Sequence, residues 1–360
     1  MGSTQQRLVC RPAACFGWIA VSAVLLIPAQ ASAHVKWFST IADVTQPPIA
    51  LGRVVTPLFA LVCAAFVALV FAGFLIDGAV ARRWPRLASS GRLHAATEEK
   101  LVRLAVGAYF LLLWNKGAVV SWEHGDSLLT PELMASAGWI GVVQFAVALA
   151  TGWRRTCVVA AAGIGVLYGY GITQFGVFHM TDYVFFPGLA AYLALTTIGT
   201  QLARRLRVPL LAGSLAFSLM WTAVEKFVYP EWTLFVIAGH PDLTFGFPPG
   251  FVIVVAGFVE FTLAFYLLTG RGLVRFGAAA YAAIFLAAIP EFGHLDTTGH
   301  MPIVGILAVV CLRGASPWPR LLGIADTGGL RRAASVTALY AVSLTGLFAM
   351  YYGLQWAEYG

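Results

Sequence analysis

Imidazole and carboxylate groups crowd into a few short stretches of this chain, and together they are ordinary ligands for zinc, copper or iron. Six of the seven histidines, His34, His124, His179, His240, His294 and His300, lie in or beside segments that the charge distribution assigns to one side of a membrane. Asp126, Asp182, Asp242, Asp296, Glu123 and Glu291 accompany them. The densest polar stretch is Glu291-Phe-Gly-His294-Leu-Asp296-Thr-Thr-Gly-His300-Met-Pro302, with a glycine before each histidine, so that both rings can turn toward one ion. Its spacing matches no standard zinc motif, and Thr297 and Thr298 could equally cap the next helix. The pairs His179-Met180 and His300-Met301 favour copper over zinc or iron. The metal candidates are therefore His34, His179, Asp182, His294, Asp296 and His300. Their competing role is to hydrogen-bond loops to helix ends.

His34 is a special case. It follows Ala31-Ser32-Ala33, a small-residue end to an apolar stretch that Arg7 and Arg11 precede, as in a cleavable secretory signal. Cleavage after Ala33 would leave His34 with a free α-amino group beside its imidazole, a bidentate chelator. An uncleaved signal anchor would not have that amine.

A second set of chemical groups sits within apolar runs. Lys116, Glu225, Lys226 and Glu260 lie inside or at the edge of spans, where a charge at mid-bilayer costs about 2.5–3.5 kcal/mol. They must face the bundle and pair. A Lys226–Glu260 pair is expected, as a structural lock or as a proton relay to an outer redox site. Trp37 and Trp221 are the aromatic candidates for holding a cofactor such as quinone. Trp37 and Phe38 also read as interface anchors.

The positioning elements are helices in lipid. The 360 residues are 59% hydrophobic and 11% charged, with mean hydropathy +0.81, against about 25% charge in soluble domains. The net charge of +7 would suggest nucleic acid in a soluble protein, but here the arginines occupy short connectors between apolar runs. After the 1–33 leader and an outer segment 34–53, runs of spanning length recur at 54–77, 103–121, 134–152, 157–173, 183–201, 208–228, 250–269, 274–290, 301–313 and 334–355. Connectors alternate between basic ones, including the loop 78–102, and ones without Lys or Arg. The positive-inside rule puts the first kind in the cytoplasm. Only Lys36 and Arg53 run against the pattern. His94, in a basic loop, should be solvated. Tyr229-Pro230-Glu231-Trp232 and Phe245-Gly-Phe-Pro-Pro249 read as an interfacial re-entry that lids the outer face. None of the five cysteines forms a CxxC, and Walker, dinucleotide, Gly-x-Ser-x-Gly and haem-attachment motifs are missing.

Residues 103–201 and 208–313 read as two copies of one four-helix unit. Phe110-Leu-Leu-Leu-Trp114-Asn-Lys116 parallels Phe217-Ser-Leu-Met-Trp221 with Lys226 beyond, and Val143-Gln144-Phe145 parallels Val259-Glu260-Phe261. Pro187 and Pro302 open the fourth helices. At these residues the chain resembles the DoxX-like family of small four-helix membrane proteins. Trp221-x3-Glu225-Lys226 and Glu260 match that family's positions for a lysine and a buried acid, whereas the first unit has Gln144 in place of the acid. The resemblance covers about 200 residues and implies a link to thiosulfate or quinone oxidation, which some relatives show.

The expected fold is an all-α polytopic bundle of ten transmembrane helices, a tandem duplicated four-helix bundle with one flanking helix at each end. The expected setting is the bacterial inner membrane, with the functional face periplasmic. The expected function is a metal-dependent (copper) redox site serving quinone or a periplasmic redox partner, without nucleic acid. A cation transporter or channel with a histidine-rich mouth, and a non-catalytic membrane subunit, are the alternatives. Reporter fusions after Ala88 and after Gly125 should report opposite sides of the membrane. Finding both on one side would sink the topology.

Overall fold

The computed structural model describes residues 36, 39–85, 93–124, 127–316, 318–324 and 329–360, without the side chains of 118–124 and 290–296. It is almost entirely helical. In chain order the main helices are α1 (Pro57–Arg83), α2 (Ala95–His124), α3 (Trp139–Ala150), α4 (Cys157–Met180), α5 (Phe185–Thr197), α6 (Gln201–Val228), α7 (Pro230–Gly239), α8 (Pro249–Thr269), α9 (Leu273–Arg313) and α10 (Gly329–Tyr359). Five helical stretches are long and apolar enough to cross a membrane: Pro57–Arg83, Arg154–Tyr183, Gln201–Val228, Pro249–Thr269 and Gly329–Tyr359. Shorter apolar helices lie at Trp139–Ala150, Phe185–Thr197, Leu273–Ile289 and Thr297–Arg313. One element departs from the all-helical expectation. A two-residue antiparallel ladder, β1 (Ser127–Leu128) with β2 (Met134–Ala135), closes the loop after α2.

Helix ends follow local chemistry. The Thr56 hydroxyl accepts from the Phe59 amide at 3.1 Å and Pro57 opens α1, where its missing N–H costs nothing. Thr200 caps α6 in the same way, through Ala203. At the start of α9 the cap comes from a distant helix. Asp77 of α1, nearly fully buried, accepts from the amides of Arg271, Gly272 and Leu273 at 3.0, 2.7 and 3.1 Å. That carboxylate satisfies orphan donors and sits at the positive end of the helix dipole.

α9 is assigned as 41 continuous helical residues, yet it cannot be straight. Arg275 Nε lies 3.1 Å from the Cys311 carbonyl oxygen, 36 residues on, where a straight helix would separate them by about 54 Å. The Phe285 and His300 rings are 4.2 Å apart. The chain therefore reverses between Phe285 and His300, giving two antiparallel arms where the sequence has its runs at 274–290 and 301–313.

Neighbouring helices pack in sequence order from α2 through α3 and α4 to α5, and α5 packs on α6. The order continues from α6 to α8 and α9, and α9 returns to α2. At this closure Gly305 lies so close to Ala105 that a side chain on the glycine would overlap it. α1 and α10 pair with each other and lean on α8, α4 and α6. One end of the bundle is bound by arginine. Glu98 on α2 meets Arg207 on α6 at 2.9 Å, Arg313 on α9 at 2.5 Å and the Tyr192 hydroxyl on α5 at 3.0 Å. Four helices thus share one buried carboxylate. Large apolar side chains such as Leu61, Leu104, Val142, Val342 and Trp356 point outward, as lipid contact requires.

Candidate functional site

The polar groups at the opposite end converge below the surface. Segment 39–50 crosses this end and is held by the chain beneath it. The Gln46 carbonyl accepts from the Tyr229 hydroxyl at 2.6 Å, Ile49 N donates to Val228 O at 3.0 Å, and Tyr352 donates to Ile49 O at 2.5 Å. Just before it, Lys36 reaches inward with only 4% of its side chain exposed. Its ammonium is 2.5 Å from Asp182 and 2.5 Å from Glu225. It also lies 5.6 Å from the centroid of the Trp232 ring, within range of a cation–π attraction.

Each partner is placed by a specific local device. Asp182 lies in the tight turn Thr181–Tyr183, which follows a break in α4 at Gly176. Gly176 has φ +82°, and a Cβ there would overlap the Glu358 carboxylate. The break leaves the Phe178 amide to donate to Glu358 of α10 at 2.8 Å. Glu225 lies in the last turn of α6 and accepts from the Tyr351 hydroxyl of α10 at 3.1 Å. One turn further into the bundle, Trp221 is fully buried against Phe178, Phe217 and Tyr351. This aromatic floor separates the acids from the interior.

A second carboxylate flanks the first cluster. Glu132, in the turn between β1 and β2, lies 3.3 Å from His179 Nε2 and accepts from the Tyr183 hydroxyl at 2.6 Å. Burial pushes its carboxyl up, but the bond and charge of His179, the Lys36 charge and the Tyr183 hydroxyl outweigh burial, and the net shift is down. For Lys36, burial alone would lower the pKa. The Asp182 and Glu225 charges, with Glu132 behind them, hold it far above the ordinary lysine value.

Lys226, next to Glu225, points to a different neighbour. It meets Glu260 of α8 at 2.8 Å, with both side chains almost wholly buried. This is the pair expected from their sequence positions. Glu260 Oε1 and Asp182 Oδ1 have no hydrogen-bond partner among the described residues. Lys116 is half-buried on α2, outside both clusters, and Gln144 donates to Leu128 O at 2.6 Å.

The three metal candidates among the described residues, His179, Asp182 and His300, do not form a metal-binding group. His179 is engaged with Glu132 and Asp182 with Lys36, while His300 packs on Phe285. Among the described residues no three His, Cys, Asp or Glu side chains are grouped as an ion requires. His34 and Trp37 lie outside the described residues, as do the side chains of His294 and Asp296. Of the aromatic candidates, Trp221 floors the acid cluster. The segment expected as a re-entry holds the helix α7, whose Trp232 stacks on Tyr229 at 4.0 Å and covers Lys36. His94 is exposed. Sequence reasoning missed Glu132, Tyr183 and Tyr351, and took Lys36 for an exception to the charge rule. That cation, one of two with Arg53 in an outer segment expected to lack basic residues, was the available signal.

Two outcomes follow. Lys36→Met should cost about 3–5 kcal/mol, because it leaves buried carboxylates without a counter-charge. Adding Asp182→Asn and Glu225→Gln should recover most of that loss in detergent unfolding, whereas additive losses would refute the coupling. Because the Glu132 carboxyl is held down, its contribution is complete above about 4.5 and disappears as pH falls through the lowered value. Melting temperature should therefore fall more steeply on acidification for the parent than for Glu132→Gln, and parallel curves would contradict this.

No family model, no curated protein and no solved structure matches the chain.

Proposed function

We propose that this chain is a ten-span protein of the bacterial inner membrane that takes electrons and protons from membrane quinol at its periplasmic side. Several features support the membrane arrangement. The end clamped by Glu98 carries the arginine connectors, which orient toward the cytoplasm. The reversal within α9 supplies two arms, and α1 and α10 flank eight helices that close head to tail, as two tandem DoxX-like four-helix units would. In such a duplication Gln144 and Glu260 are counterparts, and each makes a buried polar tie, to Leu128 O and to Lys226.

The single observation that carries the functional reading is the nearness of the acid cluster to an apolar groove, whose lining includes Val184, two residues from Asp182. A groove of about 510 Å³ lies among α5, α6, α8 and α10, lined by Val184, Pro187, Gly188, Phe217, Met220 and Trp318 among others. Its wall is apolar enough for a prenyl tail. Val184 follows the Asp182 turn, and Phe217 stacks on Trp221 at 6.0 Å, directly below Glu225. A quinol head held there releases two protons on oxidation. Asp182 and Glu225, with the Lys36 ammonium as their counter-charge, are the carboxylates nearest that wall, and Glu132 with His179 extends the cluster outward.

The electrons leave on the same face, to a copper ion or a periplasmic redox protein. Since His179 and Asp182 are engaged elsewhere, His34 is the ligand we assign to copper, with His294 and Asp296. A channel is less well supported, because Trp221 and its aromatic neighbours close the path inward.

The test is anaerobic quinol oxidation by the purified full chain with ferricyanide supplied as the terminal one-electron acceptor, two per quinol, with metal analysis and N-terminal sequencing of the same sample. The mature chain should begin at His34, hold copper that His34→Ala loses and His94→Ala keeps, and oxidise quinol with a rate that Asp182→Asn cuts by about 10²-fold or more. Phe217→Ala should raise the quinol KM. Absence of quinol oxidation in copper-loaded protein would end the redox reading. A chain starting at Met1, or equal copper content in both histidine variants, would remove the metal from it.

A further inference from the structure

A separate feature lies at the arginine-rich end, between α2 and α3. α3 has 12 residues and spans about 18 Å, whereas the 30 residues of α2 span about 45 Å. Where α3 stops, at Thr151 and Gly152, α2 runs on toward Glu98 without α3 beside it. The mismatch leaves a notch of about 570 Å³ in the lipid-facing surface. Hydrocarbon must fill such a gap, because water in contact with its apolar walls is disfavoured.

The lining has a direction. On α2 it follows a helical stripe, Lys100, Arg103, Leu104, Gly107, Ala108 and Leu111. From Lys100 to Leu111 that stripe is about 16 Å long at the helical rise, the length of much of an acyl chain. Gly107 leaves room for the close approach of Thr151, since a Cβ there would come within 2.4 Å of the threonine hydroxyl. The apolar end opens toward Leu111, and the other end carries the cations.

Those cations differ in their commitments. Arg103 is occupied: its Nε donates to Thr151 O at 2.7 Å, its Nη2 to Gly152 O, and its Nη1 pairs with Glu99 at 3.3 Å. Glu99 is shared with Arg154 at 3.5 Å. Lys100 is exposed and has no ion pair or hydrogen bond among the described residues. An unpaired ammonium at the head of an acyl-sized apolar slot is complementary to one kind of molecule. We propose that this notch is a binding site for an anionic phospholipid, with the headgroup phosphate on Lys100 and one acyl chain along Leu104, Gly107 and Leu111. Trp153, exposed just beyond Gly152, marks the depth of the interface. The role is independent of the quinol chemistry and lies at the other end of the bundle.

Native mass spectrometry of the delipidated full chain tests it, with phosphatidylglycerol and phosphatidylcholine of the same acyl chains and with inorganic phosphate alone. One phosphatidylglycerol should be retained at least about fivefold more tightly than phosphatidylcholine, the preference expected of one lysine near a membrane surface. Lys100→Glu should abolish that preference, Ala108→Trp should expel both lipids by filling the slot, and Arg331→Glu, at another basic position, should change neither. Equal retention of the two lipids, a preference that survives Lys100→Glu, or phosphate competing as well as the lipid would each overturn the assignment.

Discussion

One end of this structure depends on how two buried carboxylates are neutralised. Asp182 and Glu225 lie on different helices, and each would be costly to bury as an anion without a counter-charge. A single ammonium, Lys36, answers both at 2.5 Å. The consequences spread from that contact. Segment 39–50 is drawn across the end of the bundle, α7 folds over the ammonium through Trp232, and α10 joins through Tyr351 and Glu358. The arginine-rich end solves the inverse problem with one carboxylate, Glu98, shared by two arginines and a tyrosine. The bundle is thus fastened at both ends by buried charge, and by apolar packing between.

The two fastenings leave different chemistry available. At the Glu98 end positive charge is in excess, which suits the binding of an anionic headgroup. At the Lys36 end acids and phenols outnumber cations, and one oxygen of Asp182 has no partner among the described residues.

Much of the fold was legible because lipid permits few alternatives. Apolar runs bounded by arginine gave helices close to those observed, and the cost of a charge at mid-bilayer was enough to pair Lys226 with Glu260. The reversal in α9 was likewise implied by two separate runs. The outer cluster was harder to read. Lys36 and Asp182 are 146 residues apart, and periodicity carries no information over that distance. His179 and Asp182, three apart, would share a face on a continuous helix. The turn at Thr181 instead sends them to separate partners, Glu132 and Lys36. Glu132 itself lay in a loop with no period to single it out, and the short β ladder that presents it is set by contacts with α2 and α3.

The position of Lys36 in the chain also bears on biosynthesis. Membrane helices enter the bilayer in order of synthesis, and Lys36 precedes all of those described. Its acceptor Glu225 is made much later, and Tyr351, which bonds the same carboxylate, is 126 residues later still. Until α10 is in place the ammonium has only part of its setting, and Phe178 N lacks the Glu358 carboxylate that receives it. The Lys36 site is therefore completed last, by contacts of very high sequence separation. A chain interrupted before its final described helix would keep the Lys36 ion pairs with Asp182 and Glu225 and still lack the Tyr351 and Glu358 contacts around them.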